Sequence, residues 1–202
     1  GNESISTEAL RTSIDASLSG KYFFLIPRTS TFFYPKDKLL ASLHGAFPKL
    51  RSLSVEREGT NTLSLSVSER IPAAVACPSF VFSEIPLECL FLDEDGYAFA
   101  LAPEFSHPLF LTYTSASGTS IRIGESFLSR DEFRSLQFFA EELKKRGFPL
   151  ERMSFLEEMG TEGEFSGGGK IIFNRGKELP KMWEHFDSVL SSGTLDPLLL
   201  DG

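Results

Sequence analysis

Long apolar stretches, long clusters of basic residues and metal-binding motifs are all missing from this sequence. No apolar run approaches the roughly 18 residues that a membrane span requires, so no membrane helix is predicted within it. The formal net charge is -8 and the longest basic cluster is Lys-Lys-Arg at residues 144–146, which argues against nucleic acid as a partner. The two cysteines and three histidines lack the spacing of a zinc site. The sequence therefore predicts a globular protein without a metal or other cofactor.

Catalytic and phosphate-binding motifs are missing as well. The sequence Asp-Glu-Asp-Gly at residues 93–96 lacks the alternating ligands of a calcium loop and predicts a hairpin turn with its glycine at positive φ. The glycines at residues 167–169 precede Lys170 without the spacing of a phosphate-binding loop, so they predict a turn between two strands. No Gly-x-Ser-x-Gly motif occurs. A hydrolase that uses Asp93 or Asp95 is the weakest functional hypothesis, because no companion motif supports it.

Cysteine is scarce, and the only two, Cys77 and Cys89, lie on apolar segments joined by a loop that contains proline. Their spacing is typical of a hairpin, whose strands could bring the two Cα atoms within the roughly 5.5 Å that a disulfide needs. An oxidising compartment would then favour the bond. The alternative is a pair of small buried thiols, because free cysteine is among the most buried residue types.

The first 72 residues predict the order helix, helix, strand, strand. Apolar residues at i, i+4 and i+8 from Leu10 indicate a short amphipathic helix. A second helix is predicted from near Pro35 to about Ala46, and Pro48 would stop it. Its buried face is predicted to carry Leu39, Leu40, Leu43 and Phe47. Period-two alternation on both sides of a turn at residues 58–61 indicates a hairpin with one buried face. That face is predicted to carry Leu53, Val55, Leu63, Leu65 and Val67.

The remaining residues predict several strands and two further helices. Strands are predicted at residues 73–77, 89–92, 97–99, 109–113, 153–156, 162–165 and 170–173. Ser129 and Glu132 have the pattern of a capping box, which starts a helix that ends at Gly147. A last helix is predicted from about Leu179. Its apolar face is predicted to carry Trp183, Phe186 and Leu190.

This order of elements, with the motifs between them, resembles the extracytoplasmic region of the bacterial cell-division family FtsQ/DivIB. The motifs FPKLRSLSVER at residues 47–57, NTLSLSV at 61–67 and ERIPA at 69–73 are similar to those that follow the second helix of the family's POTRA domain. The motif LFLDEDGYAF at residues 90–99 looks like the strand, acidic turn and strand that open the family's next domain. The resemblance covers nearly the whole chain in the family's order.

The resemblance implies an α+β fold in two domains. A POTRA-like domain, with two helices on a small sheet, would span residues 1–72, and a mostly antiparallel sheet with two helices would span residues 73–202. Members of the family are non-enzymatic scaffolds of the divisome that bind FtsB/FtsL-type partners, so the same role is expected here. One membrane helix upstream would anchor the parent protein, with this region on the extracytoplasmic face of the bacterial cytoplasmic membrane at the division septum.

The resemblance also implies where a partner binds. By position, the family's partner-binding edge corresponds to Leu198, Leu199 and Leu200, together with the helix face around Lys181 and Glu184. Strand addition at an open sheet edge is the expected mode of binding. In that mode the unpaired backbone groups provide affinity, and alternate side chains provide selectivity.

The junction of the two predicted domains lies at Glu69, Arg70 and Pro72. The two charged residues are interpreted either as a solvated pair at a strand end or as a contact that fixes the angle between the domains. The alternative function is a POTRA-containing factor for polypeptide transport or outer-membrane assembly, which would bind unfolded clients. A downstream β-barrel would favour that alternative, whereas one upstream membrane helix would favour cell division.

Overall fold

The structure is a computed structural model in which helices and strands both contribute to a mixed α+β fold. This class agrees with the prediction from the sequence. The chain divides into two compact units, Gly1–Arg70 and Ile71–Gly202. The residues that the structure describes are 8, 12–13, 21–22, 26–27, 36–59, 62–78, 88–115, 121–156, 160–174, 183–184 and 186–188.

The first unit contains two small antiparallel pairs of strands and a helix between them. Its elements are β1 (Lys21–Tyr22), β2 (Ile26–Pro27), α1 (Lys36–Ala46), β3 (Leu50–Glu58) and β4 (Thr62–Glu69). Residues 8 and 12–13 are also helical, as the predicted first helix requires. Helix α1 lies where the second helix is predicted. Its Leu39 and Leu43 are buried in one cluster with Leu50 and Val55 of β3.

The hairpin of β3 and β4 pairs Glu58 with Thr62 on either side of the predicted turn, in which residues 60 and 61 lie outside the described residues. The apolar face of the hairpin is only partly covered. Val55 is 3% exposed and lies opposite Leu65, whereas Val67, opposite Leu53, is 44% exposed. The prediction that Val67 is buried is therefore wrong. Among the described residues, the cluster around Leu39 and Leu43 of α1 takes its buried strand residues, Leu50 and Val55, from β3, and Leu65 is its one partly buried member from β4. Helix α1 therefore lies over β3 and leaves Val67 on β4 exposed.

The second unit is built on one seven-stranded sheet with the order β11-β10-β9-β8-β5-β6-β7. Its pairs are antiparallel except β5 with β8 and β8 with β9, so the sheet is mostly antiparallel, as predicted. The strands are β5 (Ala74–Pro78), β6 (Leu90–Leu92), β7 (Ala98–Leu101), β8 (Thr112–Ser115), β9 (Leu150–Phe155), β10 (Gly160–Phe165) and β11 (Lys170–Asn174).

Strand β8 begins later than the predicted range of residues 109–113. Its ladder with β5 starts where the Val75 N–H donates to the Leu111 carbonyl at 3.0 Å, and β5 itself begins at Ala74. Leu109 precedes this point and is 70% exposed. The partner strand, rather than the local apolar run, therefore sets where β8 begins.

Helix α2 (Arg130–Lys145) covers one face of the sheet. The Ser129 hydroxyl accepts from the Glu132 backbone N–H at 3.4 Å, which confirms Ser129 as the N-cap. The buried stripe of the helix packs on Tyr113 and Met153 from the sheet, and each of its side chains contributes roughly 1.5–3 kcal/mol. This stripe consists of Phe133, Leu136, Phe139 and Leu143. In the described part of the chain, no helix is long and apolar enough to cross a membrane.

The opposite face of strands β5, β6 and β7 is covered by aromatic side chains from the chain after β7. The Phe91 ring centroid lies 5.6 Å from that of Phe110 and 6.0 Å from that of Phe105. Cys77 and Cys89 join this cluster and are linked by a disulfide, with their Cα atoms 4.3 Å apart. Of the two alternatives that the sequence left open, the structure contains the bonded pair.

Candidate partner-binding edge

In the described part of the chain, the seven-stranded sheet ends at β7 on one side and at β11 on the other, and these two strands differ in how much of the outward backbone is covered. Along β7, the Ala98 N–H donates to the Glu125 carbonyl at 2.9 Å, and the Ala98 carbonyl accepts from the Gly124 N–H at 2.8 Å. Tyr97 also forms a bridge with Ser126. Strand β11 pairs with β10 on one side, and the structure describes no residue paired on its other side. Among the residues that the structure describes, β11 therefore has the more open edge of the two.

The direction of each backbone group in β11 follows from two hydrogen bonds beside it. The Leu156 N–H donates to the Gly160 carbonyl at 2.9 Å, and the Phe165 N–H donates to the Gly169 carbonyl at 3.2 Å. Because these groups alternate along a strand, both bonds place the backbone of residues 161, 163 and 165 toward β11. The partners of residues 161 and 163, Phe173 and Ile171, then face β10. The N–H groups of residues 170, 172 and 174 consequently point away from the sheet.

The side chains of β11 lie in two different environments. Ile172 is 70% exposed, on the face that helix α2 does not cover. Phe173 is 6% exposed and its ring centroid lies 5.0 Å from that of Phe139 in α2. The edge thus combines outward backbone donors with one large exposed aliphatic side chain, which is what a pairing strand can use.

A helical segment at residues 183–184 and 186–188 packs on the same side of the sheet as α2. The ring of Phe139 lies 6.0 Å from that of Trp183 and 6.4 Å from that of Phe186. The Arg146 guanidinium lies 5.3 Å from the Trp183 ring centroid and pairs with Asp187. These contacts hold the helical segment against α2.

Of the partner-binding residues predicted from the sequence, Glu184 is described, and it is exposed on this helical segment. Lys181, Leu198, Leu199 and Leu200 lie outside the described residues. Sequence reasoning did not select Ile172 or Lys170 for partner binding. The available signal was the sequence Lys-Ile-Ile-Phe at residues 170–173, in which consecutive isoleucines place one on each face of a strand.

The predicted junction residues lie at the end of β4 and just after it. The Arg70 N–H donates to the Lys49 carbonyl at 2.8 Å, and its side-chain Nε donates to the Pro48 carbonyl at 3.1 Å. Glu69 is exposed and Pro72 is half-buried. Arg70 therefore fastens the end of the hairpin to the turn that follows α1. Control of the angle between the domains remains a prediction.

The acidic turn between β6 and β7 is the hairpin turn that the sequence predicted. Asp93 is fully buried, and its Oδ1 accepts from the N–H groups of Asp95 at 2.9 Å and Tyr97 at 3.0 Å. Arg130 Nε and Arg134 Nη2 lie 2.9 and 2.7 Å from Asp95 Oδ1. Burial alone would raise the pKa of Asp95, but the hydrogen bonds and charges of the two arginines outweigh it and lower that pKa. Both acids therefore fasten this turn.

Replacing Asp95 with asparagine is expected to destabilise the second unit by about 1 kcal/mol at pH 7, since both arginines are half exposed and partly screened by solvent. Because folding lowers the pKa of Asp95, its stabilising effect is present above the unfolded value near 4 and is lost as the pH falls through the folded value. Urea unfolding should therefore show a smaller difference in the free energy of unfolding between wild type and variant at pH 3 than at pH 7. The exposed Glu104→Gln is the matched control, and a difference independent of pH would contradict this account.

A cavity of about 330 Å³ lies between α2 and the segment before β8. Leu109, Phe110, Gln137 and Glu151 are among the residues that line it, whereas Asp93 and Asp95 are not. Among the residues that the structure describes, no group of three or more His, Cys, Asp or Glu side chains could hold a metal ion. The acidic turn and the cavity are therefore two separate features of the second unit.

Comparison with known proteins adds no assignment. No protein-family model matches the chain, and no curated protein matches its sequence.

Proposed function

We propose that this chain is the extracytoplasmic region of an FtsQ/DivIB-type scaffold of the bacterial divisome. It binds FtsB/FtsL-type partners at the septum and has no catalytic activity. In this proposal, the first unit is a POTRA-like domain and the second unit carries the partner-binding edge. The proposal is supported by the order of elements in both units and by the family-like motifs at residues 47–57, 61–67, 69–73 and 90–99. The junction at Glu69, Arg70 and Pro72 then connects the scaffold's two domains.

The observation that carries this proposal is the outer edge of β11, along which no described residue pairs. Its outward N–H groups at residues 170, 172 and 174 can pair with the backbone of an added strand. Proteins usually protect such edges, because an unpaired strand is a template for association with other chains. A binding role explains why this edge has a 70% exposed isoleucine, Ile172, at its centre.

The disulfide between Cys77 and Cys89 supports the proposed location. Structural disulfides persist in oxidising compartments, whereas cytosolic reductants keep most thiols reduced. An extracytoplasmic position at the cytoplasmic membrane places the second unit in the oxidising compartment of a bacterium. The parent protein would reach that position through one membrane helix upstream.

Replacing Ile172 with proline is expected to weaken binding of the FtsB/FtsL-type partner at least about fivefold. Proline removes the outward N–H at the centre of the edge and leaves a carbonyl of the added strand without its donor, which costs roughly 1–3 kcal/mol. The pairing of β11 with β10 should survive, because proline is tolerated on an edge strand where its nitrogen faces solvent. Isothermal titration with the purified extracytoplasmic segments of the partner from the same bacterium measures the effect.

Two variants control for this experiment. Ile172→Ala keeps the N–H and removes only the side chain, so it should lose less affinity than Ile172→Pro. Ile171→Pro removes the N–H that faces β10, so it should lower the thermal midpoint, whereas Ile172→Pro should leave that midpoint nearly unchanged. Equal partner affinity of Ile172→Pro and wild type would exclude β11 as the binding edge.

A further inference from the structure

On the face of the sheet that α2 does not cover, two rows of side chains cross four strands and end at the β11 edge. In the first row, Thr112 lies opposite Arg152, Arg152 opposite Glu164, and Glu164 opposite Lys170. The second row lies two residues away on each strand and consists of Thr114, Ser154, Glu162 and Ile172. Neighbouring residues of a row are direct cross-strand partners. A strand added at β11 would therefore place its own side chains beside the last residue of each row, Lys170 and Ile172.

The first row alternates in charge as it approaches the edge. Arg152 Nη1 lies 2.9 Å from Glu164 Oε2, and Lys170 Nζ lies 3.1 Å from Glu164 Oε1. Lys170 Nζ also lies 2.8 Å from Glu162 Oε1 in the second row. The hydrogen bond to Glu162 raises the pKa of Lys170 most, and the hydrogen bond to Glu164 raises it further, so Lys170 keeps its positive charge. The row thus reads positive, negative and positive, and the outermost charge lies on the edge strand.

Lys170 and Ile172 are both accessible to an added strand. The Lys170 side chain is 55% exposed and Ile172 is 70% exposed. Opposite charges on neighbouring strands stabilise a sheet, like charges destabilise it, and aliphatic residues favour apolar neighbours. A basic residue of the added strand beside Lys170 would therefore be repelled by it. An acidic residue at the same position would be attracted and would continue the alternation of charge along the row.

We infer that the β11 edge selects a strand with an acidic side chain beside Lys170 and an aliphatic side chain beside Ile172. The two selected residues lie two positions apart on one face of that strand. This inference rests on the proposed function, since it specifies the sequence of the strand that the edge binds. The other face of the same strand would lie beside Ile171 and Phe173, which favours apolar residues there.

Blocked synthetic nine-residue peptides test this selectivity. Each peptide has a threonine and valine background with an isoleucine at its centre and, two residues away, either glutamate or lysine. Both orders along the chain are made, so that parallel and antiparallel addition are both sampled. Binding at millimolar peptide is followed by NMR through the backbone amides of Lys170, Ile172 and Asn174. The wild type should bind the better glutamate peptide about twofold to fivefold more tightly than its lysine counterpart.

Variants of Lys170 separate charge selectivity from strand addition. Lys170→Glu should reverse the preference between the peptides, and Lys170→Gln should remove it. Thermal unfolding of both variants verifies that the second unit remains folded, and Lys170→Gln suffices if Lys170→Glu does not fold. Ile172→Ala should weaken both peptides by a similar factor, because it removes the aliphatic contact and leaves Lys170 in place.

The outcomes distinguish this inference from the proposed function. Equal affinity of the glutamate and lysine peptides, with shifts at the three outward amides, would overturn the charge selectivity and leave strand addition standing. Peptides that bind without shifting those amides would show that they do not bind at the β11 edge, which would overturn the inference. If those amides are protected from hydrogen exchange in the free protein, another part of the chain already covers the edge, which would also overturn it. The proposed function itself depends on the partner titration with Ile172→Pro.

Discussion

Gly96→Ala is expected to destabilise the second unit by about 3 kcal/mol. Gly96 has φ of 77°, a conformation that costs an alanine roughly 1–2 kcal/mol. An added Cβ would lie 2.7 Å from Cγ and 3.1 Å from Cβ of Phe133, which is fully buried in α2. Because these atoms are near the backbone of a packed helix, they cannot move away cheaply, and overpacking adds roughly 1–3 kcal/mol. Urea unfolding followed by circular dichroism measures the loss.

Gly147→Ala is the matched control for this prediction. Gly147 lies in the same unit just after α2 and has φ of 89°, but an added Cβ there would meet no atom within 4 Å. Its replacement should cost only the conformational strain of roughly 1–2 kcal/mol. If both glycines lost the same stability, the close approach of the acidic turn to Phe133 would contribute nothing, contrary to this account.

Removing the disulfide by the double replacement Cys77→Ala and Cys89→Ala is expected to lower the stability of the second unit by about 3 kcal/mol. The bond joins residues 12 positions apart, and closing a loop of this size restricts the unfolded chain by roughly 3 kcal/mol. It also ties β5 to the residue before β6, within the cluster that contains Phe91 and Phe110. Unfolding in urea, with and without dithiothreitol, provides the measurement.

The reductant separates the bond from the side chains in this experiment. Dithiothreitol should destabilise the wild type about as much as the double replacement does, and it should not affect the double variant. An unchanged wild type under conditions in which thiol labelling shows complete reduction would contradict a stabilising role for the bond.

Local patterns predicted the elements whose partners are close in the sequence. The hairpin of β3 and β4 follows from strict alternation on both sides of a short turn, and the start of α2 follows from the Ser129 cap. The central position of β8 between β5 and β9 was not predictable, because parallel pairing joins strands that are distant along the chain. The exposure of Val67 likewise depends on which strand of the hairpin α1 lies over, and the alternation of apolar residues along a strand does not reveal this.

The candidate edge shows the same limit. Residues 170–173 were predicted as a strand, yet nothing in their pattern tells whether that strand lies inside a sheet or at its edge. The family resemblance instead implied Leu198, Leu199 and Leu200 as the residues of the partner-binding edge. The outward direction of the Ile172 N–H follows only from the register with β10, in which Gly163 lies opposite Ile171. Edge position and register are tertiary properties, so they required the structure.

Hydrogen exchange of the β11 amides in the presence of the FtsB/FtsL-type partner tests the central claim most directly. The outward amides of Lys170, Ile172 and Asn174 should exchange readily in the free protein and become protected when the partner binds. The amides of Ile171 and Phe173 face β10 and should be protected in both states. Partner binding that leaves the three outward amides unprotected, or protects only other elements, would contradict strand addition at β11.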